Sequence, residues 1–135
     1  VILSHINGVR SKARNSSRLS DIHTLVVAFN LSLNDSNSLP VAGVGTWVCV
    51  STVCDPFYST NATVDAFLAP SLPQKLTDPV GGNRPYGGYY YGNPMNISVR
   101  TGPHLFYLVE RPGSCGAGIP FVIATDYYYC ALRLF

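Results

Sequence analysis

The sequence predicts an α+β protein in which a long N-terminal helix packs on a small antiparallel β-sheet stapled by disulfides. Three features predict this class: a helical apolar stripe confined to residues 1–37, a change to strand-like runs rich in Tyr, Phe, Val and Ile in residues 38–135, and four cysteines that all lie in this second part. One helix followed by several strands is the order typical of α+β proteins. The length of 135 residues suits a single domain.

Residues 1–37 form the predicted helix. Its packing face is an apolar stripe with spacings of 3, 4, 3 and 4 residues, made by Leu19, Ile22, Val26, Phe29 and Leu33. The polar run 34–38 ends the helix, and Pro40 closes the boundary. A helix of about 36 residues spans about 54 Å, whereas a head of about 100 residues has a radius of gyration of about 13 Å. The N-terminal half should therefore extend past the head, where a membrane segment, other subunits or both would cover its apolar residues.

Residues 38–135 are predicted to form the β-rich head. Its strand-like runs are Thr46–Val50, Tyr89–Tyr91, His104–Glu110, Phe121–Thr125 and Tyr127–Leu134. A turn at 61–65 can cap a short helix that ends at about Leu68. Prolines make the stretch 72–79 an irregular connector, and the glycines of 81–88 indicate a loop.

The four cysteines, Cys49, Cys54, Cys115 and Cys130, contain none of the common zinc or haem spacings. Two disulfides are the simplest interpretation and imply an oxidising compartment. Of the three pairings that four cysteines allow, Cys49–Cys54 with Cys115–Cys130 is favoured, because each bond closes a short loop between predicted neighbouring strands. Four reduced, buried thiols are the alternative interpretation.

The excess positive charge is confined to the helix. Residues 1–34 carry four basic side chains, Arg10, Lys12, Arg14 and Arg18, against one acidic side chain, whereas the rest of the chain carries five basic and six acidic ones. No aromatic residue is interleaved with the basic stretch, so a nucleic-acid partner is not expected. The stretch is predicted to be a solvated helix face, or to contact lipid head groups and acidic groups of neighbouring subunits.

Five strings together resemble type IV pilins and type II secretion pseudopilins. They occur in the order expected of that family, namely Ala13–Ile22 in the helix, Leu33–Pro40 at its exit, the connector Leu68–Pro79, the aromatic run Tyr89–Tyr91 and the closing strand Asp126–Phe135. The sequence departs from the family pattern because it lacks the processing site and the apolar segment that begin the family's helix. It also has Leu39 where Tyr is common.

The resemblance implies a non-enzymatic, structural subunit of an extracellular or periplasmic filament. Its partners would be copies of itself and a pilus or secretion assembly machinery. An apolar half-helix ahead of Val1 would hold the subunit in the inner membrane before it assembles at the cell surface. No cofactor is implied. The alternative function is a carbohydrate- or surface-binding adhesin head on a helical stalk, tested by substituting Tyr89 or Tyr90. The candidate binding residues are Tyr86, Tyr89, Tyr90, Tyr91, Tyr127, Tyr128 and Tyr129.

Enzyme and metal chemistry has little support in the sequence. His5 and His23 lie about 27 Å apart along the predicted helix, too far to share a metal ion, and the common catalytic motifs are absent. A hydrolase site built around His104 is the remaining enzymatic hypothesis. Asp78 or Asp126 could bind calcium together with the loop at 81–83, although an ordinary turn is the favoured interpretation.

Five Asn-x-Ser/Thr patterns are candidate glycosylation sites, at Asn15, Asn30, Asn34, Asn61 and Asn96. Asn61 and Asn96 are the favoured acceptors, because both are predicted to lie in exposed loops. Asn30 lies on the predicted helix and is interpreted as structural.

Overall fold

The computed structural model describes residues 2–79, 87–98 and 100–135, with the backbone alone for residues 2–5 and 7. The elements in chain order are α1 (Ile2–Ser36), β1 (Val48–Cys49), α2 (Ala62–Leu68), β2 (Tyr90–Ile97), β3 (Arg100–Glu110), β4 (Ile119–Ile123) and β5 (Tyr127–Arg133). The fold is the predicted α+β arrangement of a long N-terminal helix packed on an antiparallel sheet with two disulfides. Positions 81–86 of the predicted glycine-rich loop lie outside the described residues.

Helix α1 contains 35 residues and is therefore about 52 Å long. It ends at Ser36, because Asn37 adopts a left-handed φ of 62°, a conformation in which Gly and Asn commonly terminate helices. The N–H of Asn37 donates to the carbonyl of Leu33 at 2.8 Å, which satisfies one of the last carbonyls of the helix.

The five strands form one antiparallel sheet in the order β1-β2-β3-β5-β4. The central strand β3 pairs with β5 from His104 opposite Arg133 to Glu110 opposite Tyr127. Strands β2 and β3 are longer than the runs predicted at 89–91 and 104–110. Strand β2 continues past Pro94 because a bulge between Gly92 and Met95 accommodates a residue that has no N–H to pair.

Apolar clusters cover both faces of the sheet, because successive side chains of a strand point to opposite faces. On the inner face, Leu105 and Tyr107 of β3 pack with the α1 residues Ile22, Leu25 and Phe29. Phe29 also stacks on Tyr91, with ring centroids 4.7 Å apart. On the opposite face, Phe106 and Leu108 pack with Tyr90 and Tyr129. The helix therefore covers one face only, and aromatic side chains cover the other.

The disulfides join Cys49 to Cys54 and Cys115 to Cys130, the pairing that the sequence favoured. The first bond ties β1 to the loop that follows it. The second ties the turn before β4 to the middle of β5, so each bond fixes a connection at one side of the sheet.

Candidate functional site

A buried cluster of charged side chains fastens α1 to the head. Arg18 is 0% exposed, and its guanidinium donates from Nε to Asp78 at 3.0 Å and from Nη1 to Glu110 at 2.8 Å. Arg14 donates to both carboxylate oxygens of Glu110, at 2.8 and 2.7 Å. Asp78 also accepts from the N–H of Gly88 at 2.9 Å. The cluster therefore connects the helix to the end of β3 and to the segment around Asp78.

Asn15 completes the cluster through the backbone of Glu110. Its Nδ2 donates to the Glu110 carbonyl at 2.7 Å, and its Oδ1 accepts from the Glu110 N–H at 2.9 Å. The side-chain amide thus satisfies the last peptide groups of β3 in the way a neighbouring strand would. Since Asn15 is buried, its Asn-x-Ser pattern has a structural explanation.

The prediction of a solvated basic face is wrong for Arg14 and Arg18, which pair with acids of the same chain. Arg10 and Lys12 are exposed. The acids that bind Arg18 lie 60 and 92 residues away along the chain. Because these acids are so distant in sequence, the spacing of residues within the helix cannot distinguish the paired Arg14 and Arg18 from the exposed Arg10 and Lys12.

Asp78 is not a free calcium ligand. One of its oxygens accepts from Arg18 and the other from the N–H of Gly88, and a guanidinium in direct contact opposes a second cation. The loop residues 81–83 of that hypothesis lie outside the described residues. In the part of the chain that the structure describes, no group of three or more His, Cys, Asp and Glu side chains could hold a metal ion.

The acidity of Glu110 follows from the same contacts. The hydrogen bonds from Arg14, with a further contribution from Arg18, lower the pKa of Glu110 from 4.5 to about 2, against the opposing effect of burial. A carboxylate whose pKa is lowered by folding stabilises the protein above its unfolded pKa. This stabilisation is lost as the pH falls from about 4.5 to about 2.

We expect Glu110→Gln to remove this part of the pH dependence. At neutral pH the wild type should be more stable than the variant, and the difference should shrink as the pH falls through the window between the two pKa values of Glu110. Urea denaturation of both proteins from pH 7 to pH 2 measures it. Other carboxylates titrate in both proteins, so their effects cancel in the comparison. A difference in unfolding free energy that stays constant from pH 7 to pH 2 would therefore contradict the lowered pKa of Glu110.

The face of α1 that packs on the head is shifted around the helix from the predicted stripe. Of the predicted residues, Ile22 and Phe29 are buried, whereas Leu19, Val26 and Leu33 are half-buried at its margin. The centre of the contact is formed by Asn15, Arg18, Ile22, Leu25, Ala28 and Phe29. The buried side of the helix is thus the one that carries Arg18 and its ion pairs.

The side of α1 that faces away from the head carries a stripe without charge. This outer stripe consists of the exposed residues Ile6, Val9, Ala13, Ser16, Ser17, Ser20, Thr24, Val27 and Leu31. At 3.6 residues per turn they lie within an arc of about 100°, opposite the buried face. The charged residues of the same length of helix all lie outside this arc, namely Arg10, Lys12, Arg14, Arg18 and Asp21.

The composition of the outer stripe differs from that of a solvent-facing helix surface, which normally carries charged side chains. Its two ends are apolar, with Ile6 40%, Val9 57%, Val27 43% and Leu31 51% exposed. Between them lie only Ala, Ser and Thr, whose small side chains allow another helix to approach closely. This combination is typical of a helix-packing surface.

His104 does not form a catalytic site that a substrate could reach. It is 2% exposed, and its Nδ1 lies 3.0 Å from the carbonyl oxygen of Gly102. Burial lowers the pKa of His104, and the nearby charges of Arg133 and Arg100 act in the same direction. The side chain is a buried residue of β3, so the hydrolase hypothesis has no support from its position.

Of the tyrosines named for the adhesin hypothesis, Tyr86 lies outside the described residues, and the three at 89–91 are core residues, so the hypothesis is wrong about these three. All three are 0% exposed. The hydroxyl of Tyr89 donates to Asp21 at 2.6 Å, and that of Tyr91 donates to the carbonyl of Pro40 at 2.8 Å. Tyr89 and Tyr91 thus hold α1 and its exit against the sheet, whereas Tyr90 packs on the opposite face.

The favoured glycosylation residues occupy different environments. Asn61 is the N-cap of α2, where its Oδ1 accepts from the N–H groups of Thr63 and Val64 at 3.0 and 3.2 Å. Asn96 is exposed, but it lies in strand β2 opposite Thr101 and not in a loop. Asn61 therefore has a structural role independent of any sugar, and Asn96 is the more accessible of the two.

No protein-family model, curated protein or solved structure matches this chain. Among the described residues, no helix combines the length and the hydropathy needed to cross a membrane.

Proposed function

We propose that the chain is a structural subunit that assembles with copies of itself into an extracellular filament, with copies of α1 packed along their outer stripes. The observation that carries the proposal is that, from Ile6 to Leu31, this face of α1 is uncharged and apolar at both ends, yet exposed. The resemblance to type IV pilins and pseudopilins leads to the same arrangement, with helices inside and heads outside.

The energetics favour contacts with several copies over a simple dimer. Completing the burial of one half-exposed Val, Leu or Ile contributes about 1 kcal/mol, so the four apolar residues of each of two facing outer stripes together supply about 8 kcal/mol. Association costs about 4–15 kcal/mol in lost rotational and translational freedom. A single stripe-to-stripe contact is therefore weak, and stable assembly requires that each subunit contacts several neighbours.

The two apolar ends of the outer stripe favour an open assembly. Ile6 and Val9 lie about 32 Å along the axis from Val27 and Leu31, at 1.5 Å per residue. A neighbouring copy displaced by that length along the helix axis places its Ile6 and Val9 against Val27 and Leu31 of the first subunit. Such a head-to-tail contact uses two different surfaces and propagates into a filament unless a rotation closes it.

The disulfides fit an extracytoplasmic location. Bonds such as Cys49–Cys54 and Cys115–Cys130 persist in oxidising compartments and are rare in the cytosol. Transport by way of the inner membrane and dependence on a pilus or secretion assembly machinery belong to the same proposal.

We expect the double substitution Val9→Asp and Val27→Asp to reduce filament yield at least about tenfold, because it places unpaired carboxylates in the helix interface. Both side chains are exposed in the subunit, so the fold should tolerate the change. The variant is expressed in the source cells, and sheared surface filaments are quantified by electron microscopy and antibody labelling.

Val44→Asp is the matched control, because Val44 is 87% exposed and lies in the loop after α1. It should leave filament yield unchanged, and all three purified chains should unfold at the same urea concentration. Source cells whose filaments never contain this chain, or whose filaments are unaffected by the double substitution, would overturn the proposal.

A further inference from the structure

The sheet face opposite α1 carries a groove lined by aromatic rings. Its floor is Phe106, which is 5% exposed. Four ring centroids lie 5.3–5.4 Å from that of Phe106, those of Trp47, Tyr90, Phe121 and Tyr129. The rings of Trp47 and Phe121 are only half-buried, so they form walls that rise above the floor.

The aromatic groove has two lobes that share Trp47 and Tyr58. The lobe over Phe106 has a volume of about 240 Å³ and is lined by Trp47, Tyr58, Phe106, Phe121, Val122 and Tyr129. The second lobe, of about 410 Å³, includes Thr46, Trp47, Phe57, Tyr58 and Ser59 in its lining. The two lobes therefore adjoin at the same pair of aromatic side chains.

The groove exposes apolar surface that the fold does not need to expose. Phe57 is 83% exposed, and its ring lies edge-on to Tyr58 with centroids 5.2 Å apart. Val122 on the far wall is 43% exposed. Contiguous exposed apolar surface of this kind marks a binding site more often than a neutral surface.

The chemistry of the lining selects a neutral ligand. Among the described residues, none that lines either lobe is charged. The polar groups of the lining side chains are few: the indole N–H of Trp47 and the hydroxyls of Thr46, Tyr58, Ser59 and Tyr129. Flat apolar walls with sparse hydrogen-bonding groups match a pyranose ring, whose C–H face can pack on the negative face of an aromatic ring while its hydroxyls reach these polar groups.

An extended peptide fits the groove less well. The edge strand β1 cannot accept an added strand beside the groove, because the N–H of Cys49 already donates to the carbonyl of Ser59 at 2.9 Å. A bridge between Cys49 and Thr60 occupies the same edge. Main-chain pairing, which supplies much of the affinity of strand addition, is therefore not available there.

The groove is held in shape before any ligand arrives. Tyr58 packs edge-on against the buried Tyr90, with centroids 5.0 Å apart, and the hydroxyl of Tyr90 accepts from the N–H of Asp55 at 2.9 Å. The Cys49–Cys54 disulfide closes the chain just before this segment. A preformed site avoids the entropy cost of ordering its walls on binding.

We infer that the aromatic groove binds a neutral carbohydrate, with sugar rings stacked on Trp47, Tyr58 and Phe57. The groove lies on the face of the sheet that α1 does not cover, so packing of α1 with other copies leaves it open. Sugar binding in this groove does not depend on filament formation. It would use Trp47, Tyr58 and Phe57 in place of the buried Tyr89 and Tyr90.

The fluorescence of Trp47 reports occupancy directly, because it is the only tryptophan of the chain. The full chain is titrated with neutral tetrasaccharides of β-1,4-linked glucose, β-1,4-linked N-acetylglucosamine and mannose, and separately with a proline decapeptide. At least one sugar should give a saturable change with a Kd below about 1 mM. Phe57→Ala should weaken that sugar about 3- to 10-fold, the effect of one aromatic contact.

Val41→Ala is the control, because Val41 is an exposed apolar residue, 66% accessible, that does not line the groove. It should leave the Kd unchanged, and both substitutions are too exposed to affect folding. The inference is overturned if no sugar saturates the signal below about 10 mM, if Phe57→Ala binds like the wild type, or if the proline peptide binds more tightly than every sugar.

Discussion

Replacing Arg18 with Met is expected to lower the free energy of unfolding by about 3–5 kcal/mol, because removing one partner of a buried ion pair leaves uncompensated charge in the core. Arg18 is 0% exposed, and the acids it contacts, Asp78 and Glu110, are 2% and 5% exposed. Methionine fills a similar volume, so the loss reports the charge and its hydrogen bonds more than a cavity. The same contacts join α1 to the head, so the helix should loosen first.

The measurement is urea denaturation at pH 7 with matched variants. Arg14→Met should cost only about 1 kcal/mol, because the Arg14 side chain is 31% exposed and a partly solvated pair contributes less. Adding Asp78→Asn to Arg18→Met should recover part of the loss, since it neutralises the buried carboxylate that Arg18 contacts, whereas Glu110 keeps its two hydrogen bonds from Arg14. An Arg18→Met loss no larger than that of Arg14→Met, with no recovery in the double variant, would show that the cluster is not what fixes α1.

The fold was predictable because its signals are local. The 3- and 4-residue spacing marked α1, Pro40 and the polar run before it marked its end, and aromatic and β-branched runs marked the strands. Boundaries were less accurate where a local rule was overridden, as in β2, where a bulge lets the strand run through Pro94. The sheet order, with β5 between β3 and β4, depends on contacts distant in sequence.

The charged cluster could not be predicted from local pattern. A helix stretch with four basic residues reads as a solvated face, and only the arrival of Asp78 and Glu110 from distant segments makes Arg18 a core residue. The outer stripe can be recognised in the sequence only when the buried face of α1 is already known. The absence of charged residues is informative only on the side of a helix that faces solvent.

The aromatic groove was missed for a related reason. Tyr89 and Tyr90 form the most conspicuous aromatic run, but both faces of the sheet are covered there, so alternation along the strand exposes neither ring. The rings that do reach the surface are Trp47, directly before β1, and Phe57 and Tyr58, in the loop after it. What these three residues share in the sequence is that they lie close to Cys49 and Cys54. The disulfide between these cysteines holds an otherwise irregular segment against the sheet.

Removing the Cys115–Cys130 disulfide by replacing both cysteines with Ala is expected to cost about 3 kcal/mol, the loop-closure value for a 15-residue separation. The same change at Cys49 and Cys54, which are 5 residues apart, should cost about 2 kcal/mol. Both cysteines of the larger loop are buried, so lost packing adds to the first figure. The bond also holds the turn whose Gly116 lies beside Leu19 of α1.

Urea denaturation with and without reductant separates the covalent effect from packing. In reductant, the free energy of unfolding of the wild type should exceed that of each double variant by much less than without reductant. The reason is that no disulfide then constrains the unfolded chain in any of the three proteins. What remains is the contribution of the buried sulfur atoms. If the Cys49–Cys54 variant were the less stable of the two, the order predicted by loop length would fail, and the stabilisation would have to come from the native position of the segment that carries Phe57 and Tyr58.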